Sequence, residues 1–213
     1  MELKNILKMY LIHQWLKEEY NMKLPSTRIT TSTGYMVSDC ISEEFSRRVI
    51  YITDEITDSL AADICCQMNH LAAVSNEDIT LWIMSPGGSV TAGLAILDTM
   101  NSVECDIKTI VMGQAASMAA VIASSGTKGK RYIGTNAWMM IHQALAGFSG
   151  QTTDILRSAQ HIEEINNNLY SILARNCGAH IETIARDCDR DYHMNARTAI
   201  VYGLVDHIYQ SPS

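Results

Sequence analysis

Short apolar runs alternate with helical segments from Arg48 onward, and this alternation most constrains what the chain can fold into. The apolar runs, each predicted to be a buried strand, are 49–52, 79–84, 107–112 and 137–141. The segments with helical spacing between them are 57–73, 89–100 and 115–124. Strands that alternate with helices form βαβ units, so the sequence predicts an α/β fold with a mainly parallel sheet.

The longest helical segment is 151–176. Apolar residues recur along it at seven-residue spacing, at Ile155, Ile162 and Leu169. Thr152 or Thr153 can cap its start, and Gly178 suits its end. The apolar seam needs a partner surface, which either the same domain or a second subunit can provide.

The first 45 residues differ in character from the rest of the 213-residue chain, which is long enough for one domain with a substantial core. Leucines lie four apart in 1–20, which predicts a helix for packing, partner binding or membrane anchoring, or a removable pro-segment. Residues 21–45 are polar and rich in Thr and Ser, which predicts a loop or mobile arm. We therefore divide the chain into 1–45 and 46–213.

Charge and cysteine usage exclude several classes of function. The net charge of −7, without a basic stripe, argues against a nucleic-acid partner. No run approaches the roughly 18 apolar residues that span a bilayer, and we expect no membrane association. Six cysteines without paired spacing indicate a reducing, cytoplasmic location. Cys177 and His180 have no second ligand pair, so we expect no metal site.

The stretch GQAASMAA, residues 113–120, places one hydroxyl among small apolar side chains directly after a predicted strand. The simplest interpretation is a helix that packs closely and contains a serine. The alternative is that Ser117 is a nucleophile in the first helical turn, where unpaired N–H groups and the helix dipole favour an oxyanion. Serine then needs a base, because its hydroxyl is a weak nucleophile. The G-x-S-x-G motif is absent.

His142 is the first candidate for that base, because it directly follows a predicted strand, where α/β proteins build their sites. His193 lies in a predicted polar turn and is the second candidate, whereas His161 is expected on a helix surface. Periodicity does not choose the carboxylate that would orient the base among Asp187, Asp189 and Asp191.

The glycines of SPGGS, residues 85–89, follow another predicted strand. They allow positive φ and let backbone N–H groups approach a ligand closely. A phosphate loop would need the Walker lysine, which is absent. An oxyanion hole fits this segment better.

Several motifs occur in one order: SPGGSVTAG (85–93), GQAASMAA (113–120), KGKRY (128–132), MMIHQ (139–143), GQTTDI (150–155), DRD (189–191) and YGLVD (202–206). Through them the chain resembles the proteolytic subunits of the Clp family, the caseinolytic serine peptidases. The likeness covers roughly 46–208 and implies that 46–213 is a Clp-type serine peptidase domain.

The resemblance implies a role for each matching residue. It makes Ser117 the nucleophile, His142 the general base and Asp191 the carboxylate that orients His142. It also places backbone N–H groups of Gly88 and Met118 in the oxyanion hole. The implied reaction is the hydrolysis of peptide bonds through an acyl-enzyme.

The resemblance further implies an architecture and partners. The fold would be crotonase-like, with repeated ββα units and a long projecting helix at 151–176. Two stacked heptameric rings, a tetradecamer, would enclose a chamber, with Arg190 linking the rings. Residues 1–45, a pro-segment or an axial region, do not resemble the usual axial loop of the family. A ring ATPase chaperone of the Clp type would use the ATP and feed unfolded polypeptides, so this subunit would need no cofactor.

The chain departs from the family pattern at three positions. Met84 stands where asparagine is usual, Ala144 where proline is common, and Thr80 where an aromatic residue commonly lines the ATPase docking groove. One alternative is therefore a catalytically weak structural ring paralogue that works with a partner subunit. Another is an acyl-CoA-binding crotonase, whose chemistry needs oxyanion donors but no Ser-His-Asp set.

Overall fold

The computed structural model describes residues 26–31 and 34–210. The chain divides into two compact units, Met1–Arg47 and Arg48–Ser213. The helix predicted in 1–20 lies outside the described residues. Within the described part of the chain, no helix has the length and apolar character needed to cross a membrane.

The described part of the first unit is a β-hairpin followed by a short helix. Strands β1 (Ser26–Thr31) and β2 (Gly34–Asp39) pair antiparallel, and helix α1 spans Cys40–Ser46. The predicted loop or arm over 21–45 is therefore wrong for these residues. The segment is polar but rich in β-branched residues, which suit a strand, and Asp39 caps α1 by accepting from the Ser42 N–H at 2.8 Å.

The second unit is built on a seven-stranded sheet in which strands β3, β4, β5, β6 and β9 are neighbours in that order. The bounds are β3 Val49–Ile52, β4 Ile79–Ser85, β5 Ile107–Ala116, β6 Arg131–Ile133, β7 Trp138–Ile141, β8 Tyr192–Asn195 and β9 His207–Ile208. All pairs are parallel except β7 with β8. The predicted α/β fold with a mainly parallel sheet is confirmed.

The described residues of the second unit also form six helices. They are α2 Asp58–Val74, α3 Val90–Ser102, α4 Met118–Ser124, α5 Thr152–Cys177, α6 Ile181–Asp187 and α7 Ala196–Tyr202. Thr57 and Ser89, the first residues of two predicted helices, are side-chain N-caps of α2 and α3. Every residue of α4 is buried, which places this helix in the centre of the core.

The long helix α5 matches the predicted segment, although its start differs. Gln151 is the N-cap residue and makes no side-chain cap hydrogen bond, so the predicted cap by Thr152 or Thr153 is wrong. Gly178 ends the helix at a φ of 71°, as predicted. The seam is buried at Leu169, whereas Ile155 nearer the start is 37% exposed. Only the second half of the seam thus finds its partner within this domain.

Strand β5 is longer than the sequence predicts and displaces the start of the following helix. Its first part pairs with β4 and β6, and its last residues pair with β7, beginning at Gln114 opposite Trp138. The backbone groups of 114–116 therefore find strand partners, which keeps them extended. Helix α4 begins only at Met118, not at Ala115.

A buried ion pair links Arg131, the first residue of β6, to Asp206, which directly precedes β9. Arg131 is 1% exposed, and its guanidinium donates to Asp206 at 2.6 and 2.9 Å and to the carbonyls of Ser124 and Asn176 at 3.0 Å. Burial alone would raise the pKa of Asp206. The hydrogen bonds and charge of Arg131, with a further bond from the Gly129 N–H, outweigh it and lower this pKa to about 2.

Candidate active site

Ser117 occupies the sharp junction between β5 and α4. Its φ of 55° and ψ of −125° lie outside the usual regions for a non-glycine residue, and its N–H donates to the Met140 carbonyl at 2.8 Å. Ser117 is the N-cap residue of α4. The sequence predicts instead that it lies in the first helical turn. Its hydroxyl makes no cap bond, so Oγ is available to another partner.

That partner is His142, which follows β7 directly. The Nε2 atom of His142 lies 2.8 Å from Ser117 Oγ, and its Nδ1 atom lies 3.0 Å from Asp191 Oδ1. The side chain of His142 is 13% exposed and that of Asp191 is 61% exposed. A hydroxyl, an imidazole and a carboxylate are thus joined by two consecutive hydrogen bonds.

The sheet register explains why these three distant side chains meet. Ala116 lies opposite Met140 in the parallel pair of β5 and β7, so Ser117 follows at the end of β5 beside the end of β7. Ile141 lies opposite Tyr192 in the antiparallel pair of β7 and β8, so His142 and Asp191 are next in register. The carboxyl ends of β5 and β7 and the amino end of β8 lie side by side, so Ser117, His142 and Asp191 meet at one end of these strands.

The other acidic candidates have different partners. Asp187 accepts a hydrogen bond from the Tyr202 hydroxyl at 3.0 Å. Asp189 meets the His142 segment through its backbone, since its carbonyl accepts from the Gln143 side chain at 3.0 Å. Of the three carboxylates that the sequence left open, Asp191 is the one hydrogen-bonded to His142.

The remaining histidine candidates lie elsewhere. His193 is in strand β8, not in a polar turn, and lines a separate cavity of about 250 Å³. Strand β8, which carries His193, pairs with β7. The side chain of His161 is 72% exposed on α5, as expected.

The glycine loop after β4 lies directly against Ser117. A side chain added at Gly87 would come within 2.6 Å of the Ala116 carbonyl and 2.7 Å of Ser117 Cβ. Ser85, which is fully buried, holds this loop by accepting from the Gly87 N–H at 3.1 Å and donating to the Asp54 carbonyl at 2.7 Å. The close approach requires glycine.

The two backbone N–H groups that the resemblance assigns to an oxyanion hole belong to the glycine loop and to the start of α4. The Ile56 N–H donates to the Gly87 carbonyl and the Ser89 N–H donates to the Ile56 carbonyl, both at 2.8 Å. This parallel pairing turns the Gly88 N–H to the opposite edge of the loop. Met118 is the first residue of α4, and the N–H groups of a first helical turn have no acceptor within the helix.

A cleft of about 530 Å³ opens beside Ser117 and His142. It is lined by the glycine loop on one side and by the segment after His142, with Ala144 and Leu145, on the other. An apolar pocket adjoins it, lined in part by Val90, Met118, Val121, Ile141, Leu169 and Leu173. The reactive groups therefore border both an open cleft and an apolar recess.

The cysteines and the metal-ligating residue types form no competing centre in the described part of the chain. No group of three or more His, Cys, Asp or Glu side chains is placed there to hold a metal ion. Burial raises the pKa of Cys177 to about 11 and that of Cys188 to about 12, so neither thiol readily forms the reactive thiolate.

Sequence reasoning missed three contributors to the site. The Met140 carbonyl fixes Ser117, Asn166 accepts a hydrogen bond from Ala144 at 2.7 Å, and Leu173 helps to line the apolar pocket. Of these three contributors, only Leu173 has a signal in the sequence, because it lies four residues after Leu169 on the same predicted helix. The other two contacts depend on tertiary packing, for which the sequence has no local signal.

The chain matches the sequence model of the Clp protease family over residues 32–212. It is 46% identical over 189 residues to an ATP-dependent Clp protease proteolytic subunit of Ligilactobacillus salivarius (strain UCC118). The aligned residues cover 88% of this chain and 96% of that relative. It is 45% identical over 184 residues to proteins with the same name from Streptococcus pyogenes serotype M5 (strain Manfredo) and serotype M1, covering 85% of this chain and 94% of each relative.

Proposed function

The chain belongs to the Clp protease family, and from this premise we propose that it hydrolyses peptide bonds with a Ser117-His142-Asp191 triad. The observation that carries the proposal is the pair of consecutive hydrogen bonds, 2.8 Å from Ser117 Oγ to His142 Nε2 and 3.0 Å from His142 Nδ1 to Asp191 Oδ1. The relatives are named as proteolytic subunits, which supports a serine endopeptidase.

In this mechanism Ser117 Oγ attacks the scissile carbonyl carbon while His142 Nε2 takes its proton. Asp191 accepts from the Nδ1–H of His142, which fixes the tautomer and stabilises the imidazolium that forms. The protonated His142 then gives its proton to the leaving amine, and the acyl group remains on Ser117. In the second half of the reaction a water molecule, deprotonated by His142, attacks the acyl carbon. The bond from that carbon to Ser117 Oγ then breaks, and His142 returns the proton to Oγ.

The negative charge of each tetrahedral intermediate is held by the backbone N–H groups of Gly88 and Met118. One comes from a loop locked by strand-like pairing and the other from the positive end of a helix, so neither has to reorganise during the reaction. The open cleft suits an extended polypeptide.

The proposal extends to assembly and partners. We place the peptidase domain at 46–213 and propose that it assembles into two stacked heptameric rings, with 1–45 as a pro-segment or an axial region. Arg190, exposed and adjacent to Asp191, is the proposed contact between the rings, and the exposed start of α5 supports burial in an assembly. A cytoplasmic ring ATPase of the Clp type would use the ATP and deliver unfolded polypeptides, and this subunit would act without a cofactor.

Labelling of the wild type with a fluorophosphonate, together with turnover of a fluorogenic peptide, tests the proposal. Both reactions require an activated Ser117. Ser117→Ala should lose the label and lower turnover by ~10⁴-fold or more, as deletions of triad residues do. Ser102→Ala is the matched control, because Ser102 is an exposed serine at the end of α3 whose hydroxyl bonds only the Thr99 carbonyl at 2.9 Å.

The outcomes separate the alternatives. Turnover of Ser117→Ala near the wild-type rate would refute the assignment of the nucleophile. A wild type that assembles but neither labels nor cleaves peptides would instead support a structural ring paralogue. Turnover of an acyl-CoA thioester, without peptide cleavage, would support a crotonase.

A further inference from the structure

Asn166 on helix α5 accepts a hydrogen bond from the segment that follows His142. Its Oδ1 atom lies 2.7 Å from the backbone nitrogen of Ala144, which is half-buried. Ala144 is two residues from His142 and lines the same cleft as Ser117 and His142. A displacement of Ala144 would therefore move the imidazole and the wall of the cleft together.

The other bonds of this segment hold it in a different direction. The Gln143 N–H donates to the Cys188 carbonyl at 2.7 Å, and its side chain donates to the Asp189 carbonyl at 3.0 Å. These bonds fasten the segment to the part of the chain that leads to the carboxylate. The bond to Asn166 fastens it to α5, which also lines the apolar pocket beside the serine. The bond to Asn166 thus links the segment after His142 directly to that helix.

Ala144 makes this bond necessary. Alanine carries a backbone N–H and a φ that is less restricted than that of proline, which has no N–H. A half-buried N–H without an acceptor is also costly. We propose that Asn166 is a positioning residue for His142, and that its hydrogen bond to Ala144 supplies the restraint that a proline ring would otherwise give. This inference rests on the proposed peptidase function.

The run Asn166–Asn168 offers a matched control. Asn166 is half-buried, whereas Asn167 and Asn168 are exposed on the same helix. Asn166→Ala removes the acceptor, Asn166→Asp retains a carboxyl oxygen that can accept the same bond, and Asn168→Ala removes an identical side chain from the surface.

The experiment measures fluorophosphonate labelling of the full chain, as both a rate constant and a final stoichiometry. Asn166→Ala should label roughly 10- to 100-fold more slowly, the range expected for a displaced catalytic group, but still reach the wild-type stoichiometry. Asn166→Asp should recover most of the rate, and Asn168→Ala should match the wild type. Lower stoichiometry at an unchanged rate constant would mean that Asn166 only supports the fold, and would overturn the inference.

A double-mutant cycle with Ala144→Pro tests the contact itself. Because proline has no N–H to donate, Asn166→Ala should cost less than about threefold in that background. An equal cost in both backgrounds would overturn the inference that Asn166 acts through the Ala144 N–H. An inactive Ala144→Pro variant would overturn the inference that a proline ring can replace this hydrogen bond. Failure of the wild type to label would count against the proposed function instead.

Discussion

Replacement of Asp191 by asparagine tests how strongly the carboxylate acts on His142. The change keeps the size of the side chain but removes its negative charge. Asparagine can still accept from the Nδ1–H of His142, so the geometry is retained. The variant therefore reports the electrostatic stabilisation of the imidazolium that forms when Ser117 gives up its proton.

The exposure of Asp191 sets the expected magnitude. At the 3.0 Å that separates Asp191 Oδ1 from His142 Nδ1, opposite unit charges attract by about 1.4 kcal/mol in water and about 5.5 kcal/mol at an effective dielectric constant of 20. Because the Asp191 side chain is 61% exposed, solvent screening favours the lower part of this range. A loss of about 2 to 3 kcal/mol corresponds to a decrease in kcat of roughly 30- to 150-fold. The same substitution costs ~10⁴-fold where the amide of the asparagine holds the histidine in the wrong tautomer.

The assay is the steady-state hydrolysis of a fluorogenic peptide by wild type, Asp191→Asn and the control Asp189→Asn. The control removes a nearby charge whose residue meets the His142 segment through its backbone, so its kcat should stay within about threefold of wild type. A loss of ~10⁴-fold in Asp191→Asn would mean that the asparagine amide holds His142 in the wrong tautomer, which contradicts the expectation that only the charge is removed. A loss below threefold would refute its role in orienting His142.

Three further predictions address the rest of the molecule. Gly88→Ala should lower kcat by ~10²–10³-fold, because its Cβ would lie 2.7 Å from the Ile56 nitrogen and displace one proposed oxyanion donor. Steady-state kinetics with a lowered kcat and an unchanged KM would support this, and an unaltered kcat would refute it. Arg190→Ala should shift the protein to a smaller species in gel filtration and lower peptidase activity with it, whereas dissociated rings with full activity would contradict a link between assembly and the triad. Asp206→Asn should be less stable to urea by about 3 kcal/mol, because it leaves the buried guanidinium of Arg131 unpaired. Since the pKa of Asp206 falls from 3.8 to about 2 on folding, its contribution is complete above about pH 4 and is lost as the pH falls towards 2, so the wild type and the variant should converge in acid.

The elements of the second unit could be predicted because their signals are local. A buried parallel strand reads as an unbroken apolar run, and Thr57 and Ser89 mark helix starts through their own side chains. The position of His142 directly after a strand was visible for the same reason. The hairpin at 26–31 and 34–39 has no such signal, because its strands are polar and polarity alone predicts a loop.

The choice of the carboxylate could not be predicted from the residues without the resemblance. Asp187, Asp189 and Asp191 alternate along a few residues, and their partners depend on how β8 pairs with β7. A shift of that register by one residue would bring a different side chain opposite His142. Strand register is a tertiary property, so periodicity within the segment has no bearing on it.

The backbone of Ser117 shows why the surrounding residues are so small. A serine at a φ of 55° and ψ of −125° costs of order 1–3 kcal/mol, and this strain persists only where neighbouring structure fixes it. The Met140 carbonyl holds its N–H, and the fully buried helix α4 holds the residues that follow. Because Gly87 approaches the Ala116 carbonyl and Ser117 Cβ so closely, a larger side chain on either segment would separate the glycine loop from the serine. The small residues thus let one strained turn point a hydroxyl at His142 while the N–H groups of a helix start remain beside it.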